Sequence, residues 1–167
     1  MKSVRFTWEF LIKFQRFILI TSGLVIVFGL IMSILFRYVL KLDFFGLEEI
    51  ILIPTIWLYF IGAAYGSYED SHISGDLAGA IIKSKRIKFW LRIITLVLSL
   101  VATVIFTIWT LNFLIWSIYN SGVTTGWGIP IFVYHLPIFI SFVLISLYTL
   151  YHLGKHIVLH VGSKEGE

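Results

Sequence analysis

The segment FILITSGLVIVFGLIMSILF, residues Phe17 to Phe36, contains no Asp, Glu, Lys or Arg. A helix needs about 20 consecutive apolar residues to cross the roughly 30 Å hydrocarbon core of a membrane, and this segment meets that requirement. It is longer than the apolar core of a signal peptide, and no small-residue cleavage site follows it. We therefore predict a retained membrane-spanning helix.

Three further segments have the same character. Of the 167 residues, 59% are hydrophobic and only 13% are charged, which is unlike a soluble globular chain. The segments are apolar on all sides, whereas the strands of a membrane β-barrel alternate between apolar and polar residues. The sequence predicts an all-α integral membrane protein with four transmembrane helices, at residues 17–36, 50–68, 93–118 and 129–151.

Lys and Arg are unevenly distributed among the connections. Several follow one another between the second and third spans, whereas the third connection, residues 119–128, has none. Basic flanks stay on the cytoplasmic side of a membrane, so we predict that both termini and the middle connection are cytoplasmic. The net charge of +4 then reflects topology rather than binding to nucleic acid.

Two amphipathic segments adjoin the spans. Basic and apolar residues alternate at helical spacing over residues 2–16, which favours a helix lying in the cytoplasmic interface over an extended basic tail. Residues 75–88 follow Ser74, a suitable N-cap, with Asp76 in the first turn and basic residues at the other end. We predict a second short interfacial helix there.

The predicted spans lack charged residues. A charge at the centre of a spanning helix costs about 3 kcal/mol on insertion scales and usually marks an ion or proton path. The prolines Pro54, Pro130 and Pro137 lie near the starts of spans and do not form the matched pair of interrupted helices found in carriers. Since the chain also has no nucleophile motif or phosphate-binding loop, we predict that it is not an enzyme and transports nothing by itself.

Histidines offer the only metal chemistry to consider, because the chain has no cysteine. His72 and His135 fall at opposite predicted ends of the membrane, so they cannot ligate one haem together. His152, His156 and His160 share one helical face, which allows a metal site. We favour a solvated continuation of the last span, because no nearby carboxylate would complete such a site. No cofactor and no metal are predicted.

Polar and small residues indicate helix contacts. Gly62 and Gly66 form a small-xxx-small pair, and a second set follows the third span in four-residue steps: Thr95, Ser99, Thr103 and Thr107. Such seams contact either this chain's own helices or another protein. Glu48 and Glu49 are adjacent and point to different sides of a helix, and either could pair with Arg37.

Three stretches resemble one family over nearly the whole chain: RYVLKLDFFGLEEI (37–50), WLYFIGAAYGSYEDSHISGD (57–76) and TTGWGIPIFVYHLPI (124–138). Together they resemble the DctQ-like small membrane subunit of tripartite ATP-independent periplasmic (TRAP) transporters. Leu47 departs from the pattern, which usually has an aromatic residue before the acidic pair. The resemblance is carried by Arg37, Glu48, Glu49, Trp57, Gly62, Ala63, His72, Ile73, Asp76, Pro130 and Pro137. The positions predicted to be partner contacts or structural are Arg37, Glu48, Glu49, Trp57, Gly62, Gly66, His72 and Asp76.

The resemblance implies a non-catalytic subunit of a sodium-driven symporter for organic acids, such as carboxylates or sialic acid, in the bacterial inner membrane. Its expected partners are a large multi-span membrane subunit, a periplasmic substrate-binding protein and membrane lipids. His72 and Asp76 look like the family's cytoplasmic exit from the second span. Two other hypotheses remain open at this point: a self-sufficient oligomeric exporter, which usually needs a membrane-embedded Glu, and a redox or metal-binding membrane protein.

Overall fold

The computed structural model describes residues 2–42, 46–69 and 84–164. Within these ranges the chain forms four long α-helices, and each contains an apolar segment long enough to cross a membrane. The predicted all-α architecture with four apolar helices is therefore confirmed. The helices are α1 (Lys2–Ile34), α2 (Leu47–Tyr68), α3 (Lys85–Tyr119) and α4 (Phe132–Lys164), and a π-helical turn, Leu35–Val39, follows α1.

The helices pack in an open series. α1 packs on α2, α2 on α4, and α4 on α3, and no extensive contact between the described parts of α1 and α3 closes the series into a ring. Accordingly α1 and α3 are the least buried helices, while α4 is the most buried. We call the end with residues 8–16, 65–69, 87–92 and 148–158 the terminal end, and the end with residues 35–42, 46–49 and 119–131 the loop end.

The amphipathic segment 2–16 continues directly into the first span. α1 runs without interruption from Lys2 to Ile34, so no helix end separates the two predicted parts. Trp8 packs on α2 and α4, with ring centroids 6.1 Å from Tyr68, 5.3 Å from Tyr148 and 5.2 Å from Tyr151. Placement of this segment in the membrane interface stays a prediction. Most of the second predicted segment, residues 75–83, lies outside the described residues, and from Lys85 the chain is part of α3.

Small residues bring α1 and α2 together. A Cβ added to Gly29 would lie 2.8 Å from Cγ1 of Ile51, and one added to Gly62 would lie 3.6 Å from Cδ2 of Leu19. Ser22 is also buried on α1. The Gly62 seam is therefore a contact between two helices of this chain, because close approach of backbones requires small side chains.

We call Thr95, Ser99, Thr103 and Thr107 the hydroxyl stripe of α3. The middle part of this stripe faces α4. Thr103 and Thr107 are half-buried, and the Thr107 hydroxyl lies 3.4 Å from the Ser146 hydroxyl of α4. Thr107 also donates to the Thr103 carbonyl oxygen at 2.7 Å, which satisfies its hydrogen within the helix. Thr95, nearer the terminal end, is exposed and donates to the Leu91 carbonyl oxygen at 2.9 Å. The stripe is thus an internal packing seam with one exposed end.

Gly62→Leu is expected to destabilise the α1–α2 contact, because a leucine there must displace Leu19. The loss should correspond to about 1–3 kcal/mol, the usual cost of overpacking, and appear as a lower unfolding temperature in detergent. Gly62→Ala should unfold like the parent, since its Cβ is at ordinary contact distance, and Gly154→Leu is the control because its Cβ site is open. Unchanged unfolding of Gly62→Leu would contradict this packing, whereas adding Leu19→Ala should restore part of the loss.

Candidate functional site

The loop between α3 and α4, residues 120–131, is held in shape by its own hydrogen bonds. The Ile131 N–H donates to the Gly122 carbonyl oxygen at 2.9 Å, and the Thr124 N–H donates to the Ile129 carbonyl oxygen at 3.0 Å. The Ile129 N–H in turn donates to the Thr124 hydroxyl oxygen at 3.0 Å. The backbone of this α3–α4 loop therefore has a defined conformation.

Glu49, in the first turn of α2, fastens this loop to the helix. Its Oε1 accepts from the Gly126 N–H at 2.8 Å, and its Oε2 accepts from the Trp127 N–H at 3.0 Å. The Thr125 hydroxyl also lies 3.4 Å from Oε1. Hydrogen bonds to an ionised carboxylate are stronger than those between neutral groups, so two of them from adjacent N–H groups make a directional anchor.

Two glycines let the loops between α1 and α2 and between α3 and α4 meet. Gly46 has φ +86°, a left-handed conformation suited to glycine, and a Cβ there would lie 2.7 Å from the Trp127 ring. A Cβ at Gly126 would lie 3.0 Å from both the Gly46 Cα and the Glu49 Oε1. Any side chain at either position would push the α3–α4 loop away from the carboxylate.

Tyr134 adds a third connection at the loop end. This side chain of α4 is buried, and its hydroxyl donates to the Glu49 carbonyl oxygen at 3.2 Å. Glu49 is thus bound through its carboxylate to the α3–α4 loop and through its backbone to α4. One residue holds the start of α2 against the second helical hairpin.

The predicted pairing of an acid with Arg37 is not what the structure shows. Arg37 lies exposed in the π-helical turn, and across the described ranges no ion pair joins it to Glu48 or Glu49. Glu48 is exposed and points away from its neighbour, as adjacent positions on a helix must. Sequence reasoning missed the true partners of Glu49 because backbone N–H groups have no sequence signature. The uncharged, glycine-containing stretch TTGWG was the one available signal.

The remaining predicted positions are spread along α2 and beyond it. Trp57 is half-buried on α2, Gly62 lies in the α1–α2 contact, and Gly66 follows one helical turn later. His72 and Asp76 lie outside the described residues. The described positions of the predicted set are therefore not one site: Glu48, Glu49 and Arg37 lie at the loop end, and Trp57, Gly62 and Gly66 belong to the body of α2.

A buried polar contact at the terminal end joins α1 to α4. Gln15 is 1% exposed, and its Oε1 accepts from the Tyr148 hydroxyl at 3.2 Å. Tyr148 is fully buried, and its ring lies 5.5 Å from that of Tyr68 on α2. Three helices therefore meet at this point. The predicted amphipathic pattern did not identify Gln15, because a polar residue between basic neighbours is normally exposed.

Two of the C-terminal histidines contact this chain. His152 Nε2 lies 3.1 Å from the Tyr68 carbonyl oxygen at the end of α2, and the His156 ring stacks on Phe89 with centroids 5.0 Å apart. Both are half-buried, so this face is packed rather than solvated as the sequence suggested. Among the residues that the structure describes, no three His, Cys, Asp or Glu side chains are grouped to hold a metal.

These features define a class of protein: a small multi-pass membrane protein whose interhelical polar contacts hold its own four helices and one shaped loop together. The model of one protein family, described as "Tripartite ATP-independent periplasmic transporters, DctQ component", matches residues 23–158, which include parts of all four helices. The chain belongs to this DctQ family and is a non-enzymatic membrane component of a TRAP transporter, so the resemblance inferred from the sequence is confirmed. No curated protein and no solved structure matches the chain.

Glu49→Gln is expected to loosen the α3–α4 loop, because an amide can accept at only one of its two terminal atoms. Hydrogen exchange of the Gly126 and Trp127 N–H groups should become severalfold faster, measured by mass spectrometry or NMR in detergent. Glu48→Gln is the matched control, since this neighbouring carboxylate is exposed and bonds nothing within the described residues. Arg37→Gln should also leave the exchange rates unchanged, and an effect equal to that of Glu49→Gln would instead support the ion pair.

Tyr148→Phe is expected to cost about 1–3 kcal/mol of unfolding free energy, because it leaves the buried Gln15 Oε1 without its donor. The exposed Tyr151→Phe is the control and should unfold like the parent. Equilibrium unfolding in mixed micelles measures both. If the Gln15→Leu/Tyr148→Phe double variant lost the sum of the two single effects, the hydrogen bond would contribute nothing.

Proposed function

We propose that this chain is the scaffold subunit of a sodium-driven TRAP transporter in the bacterial inner membrane. It binds a large multi-span subunit, which carries the sodium and substrate sites, and it helps to dock a periplasmic substrate-binding protein. The cargo is an organic acid, such as a carboxylate or sialic acid. Membership of the DctQ family supports the assignment to the transporter. The features below support a structural role for this chain and a transporting role for the large subunit.

The single observation that carries the scaffold role is the absence of charged side chains from all four predicted span interiors. Sodium-coupled carriers need charged groups or exposed backbone at the membrane midplane to hold an ion. Here the polar groups between helices serve packing instead, as the contacts Thr107–Ser146 and Tyr148–Gln15 illustrate. Such a chain adds fixed membrane structure to a partner that moves the substrate.

The charge distribution supports an orientation with both termini in the cytoplasm. Arg16, Lys88 and Arg92 lie near the terminal end, whereas the α3–α4 loop has no charged residue. By the positive-inside rule the loop end is then periplasmic. The Glu49 anchor gives that periplasmic surface a fixed shape, with Val123 and Trp127 exposed on it. A preformed surface of this kind suits docking of a soluble binding protein, because little ordering is needed on contact.

Reconstitution tests whether this chain transports the substrate or only supports the large subunit that does. Proteoliposomes with this chain alone should show only background uptake of radiolabelled sialic acid and dicarboxylates under an inward sodium gradient. Adding the large subunit that co-purifies with the tagged chain, together with its binding protein, should give uptake that stops when potassium replaces sodium. Uptake by this chain alone at the rate of the full complex would refute the scaffold role and establish a self-sufficient transporter.

A further inference from the structure

Arg16 is the last charged residue before the apolar run of the first span. The next charged residue along the chain is Arg37, so residues 17–36 between the two arginines carry no charge. At 1.5 Å per residue a helix of this length spans about 30 Å, which is the thickness of the hydrocarbon core. Arg16 therefore lies at one boundary of the core, at the level of the lipid headgroups.

The contact between α1 and α2 gives the same boundary from the second helix. The Arg16 Nε–H donates to the Tyr65 hydroxyl oxygen at 2.8 Å. Tyr65 lies in the last turn of α2, and the charge-free run of that helix, residues 50–68, ends directly before Glu69. Tyrosine also prefers the interface between membrane and water. Two helices that run in opposite directions thus place this contact at the edge of the hydrocarbon.

Tyr65 holds the Arg16 guanidinium in one orientation. Besides the hydrogen bond, the Arg16 Cζ lies 5.4 Å from the centroid of the Tyr65 ring, which is within the range of a cation–π contact. The Tyr65 hydroxyl also hydrogen-bonds the Glu69 carboxylate, one helical turn later. The acid is thus bonded to the tyrosine, and across the described ranges no ion pair joins it to Arg16.

The rest of the guanidinium is left for a ligand from outside the chain. An arginine has five N–H donors, of which one is on Nε. In the part of the chain that the structure describes, the Nε–H is the only one of them with a protein acceptor, and Arg16 is exposed. Lys13, one turn earlier on α1, is also exposed and has no acceptor among the same residues. Two neighbouring cations therefore have unused donors at headgroup level.

The side of α1 below these cations, toward the middle of the membrane, is apolar. At 100° per residue, Lys13 and Arg16 lie about 60° apart around the helix, and the next apolar residues toward the core fall in or beside the same sector. We call these residues the apolar track of α1: Phe17, Ile20 and Leu24, which are 65%, 65% and 67% exposed. A ligand with an anionic group and a hydrocarbon chain fits both parts of this surface, whereas a free anion fits only the first.

We propose that Arg16 and Lys13 bind the phosphodiester of an anionic phospholipid whose acyl chain lies along the apolar track of α1. The planar guanidinium matches two phosphate oxygens, because its donors form a rigid fork. Lys13 adds a second positive charge, which favours a headgroup with a net negative charge over a zwitterionic one. Tyr65 is a positioning residue, since it contacts the guanidinium. The inference goes beyond the proposed function and needs only a membrane around the chain.

Native mass spectrometry of the full chain in mild detergent counts bound lipids directly. The parent should retain more phosphatidylglycerol than phosphatidylcholine, which has the same phosphodiester but no net charge. Arg16→Gln should retain about three- to tenfold less phosphatidylglycerol, the loss expected for one cation near a headgroup. Arg37→Gln is the matched control and should bind like the parent. It removes the same charge at the other end of the apolar run, where no hydrogen bond within the described residues orients the arginine.

Two conservative variants separate a shaped site from diffuse attraction between charges. Arg16→Lys keeps the charge but loses the fork, and Tyr65→Phe keeps the ring but loses the hydroxyl that orients Arg16. Both should retain less phosphatidylglycerol than the parent. If charge alone bound the lipid, both variants would retain as much as the parent, and the proposal would be wrong. Unfolding in lipid-free micelles checks that each variant is folded.

Two further results would overturn the proposal. Equal losses in Arg16→Gln and Arg37→Gln, or equal retention of both lipids by the parent, would mean that the chain has no specific headgroup site at Arg16. If inorganic phosphate at the same concentration displaced the lipid, the occupant would be a free anion. None of these results would bear on the proposed transport function, because the measurement uses this chain without its partners.

Discussion

The structure depends on one constraint: inside the hydrocarbon layer, every polar group must be satisfied by protein, because no water is available there. The chain meets much of this constraint in two ways. Hydroxyls donate to carbonyl oxygens of their own helix, as Thr107 and Thr110 do, and Tyr148 donates to Gln15 Oε1 between helices. Among the described residues, Gln15 Nε2, Ser117 Oγ and Ser141 Oγ are buried without a hydrogen-bond partner.

At the loop end, water is present and different interactions decide the geometry. An exposed ion pair between Arg37 and an acid would gain little, since solvent screens both charges and two long side chains must be ordered. Two adjacent N–H groups on a loop already fixed by its own hydrogen bonds require ordering of only the Glu49 side chain. The carboxylate therefore bonds the backbone of the α3–α4 loop, and Gly46 and Gly126 provide the space.

Local signals made part of this structure predictable from the sequence. The spans follow from apolar runs such as residues 17–36, and the small residues Gly62 and Thr107 lie in seams as their spacing indicated. What the sequence did not reveal depends on tertiary position. The donors to Glu49 are main-chain groups that any residue carries, and burial of Gln15 depends on Tyr148, which is 133 positions away. Whether a seam is internal likewise depends on the neighbour, which periodicity does not identify.

The anchor at Glu49 also joins two segments that the ribosome makes at different times. The Gly126 N–H that it binds lies 77 residues later in the chain, so the carboxylate reaches the membrane surface well before its partner has been translated. During that interval the first hairpin, α1 and α2, is held by the contact between its two helices. Its loop end has no bond yet to the α3–α4 loop. The bond can therefore form only after the second hairpin lies beside the first, and a chain that ends before residue 126 has a first hairpin held by the α1–α2 contact alone.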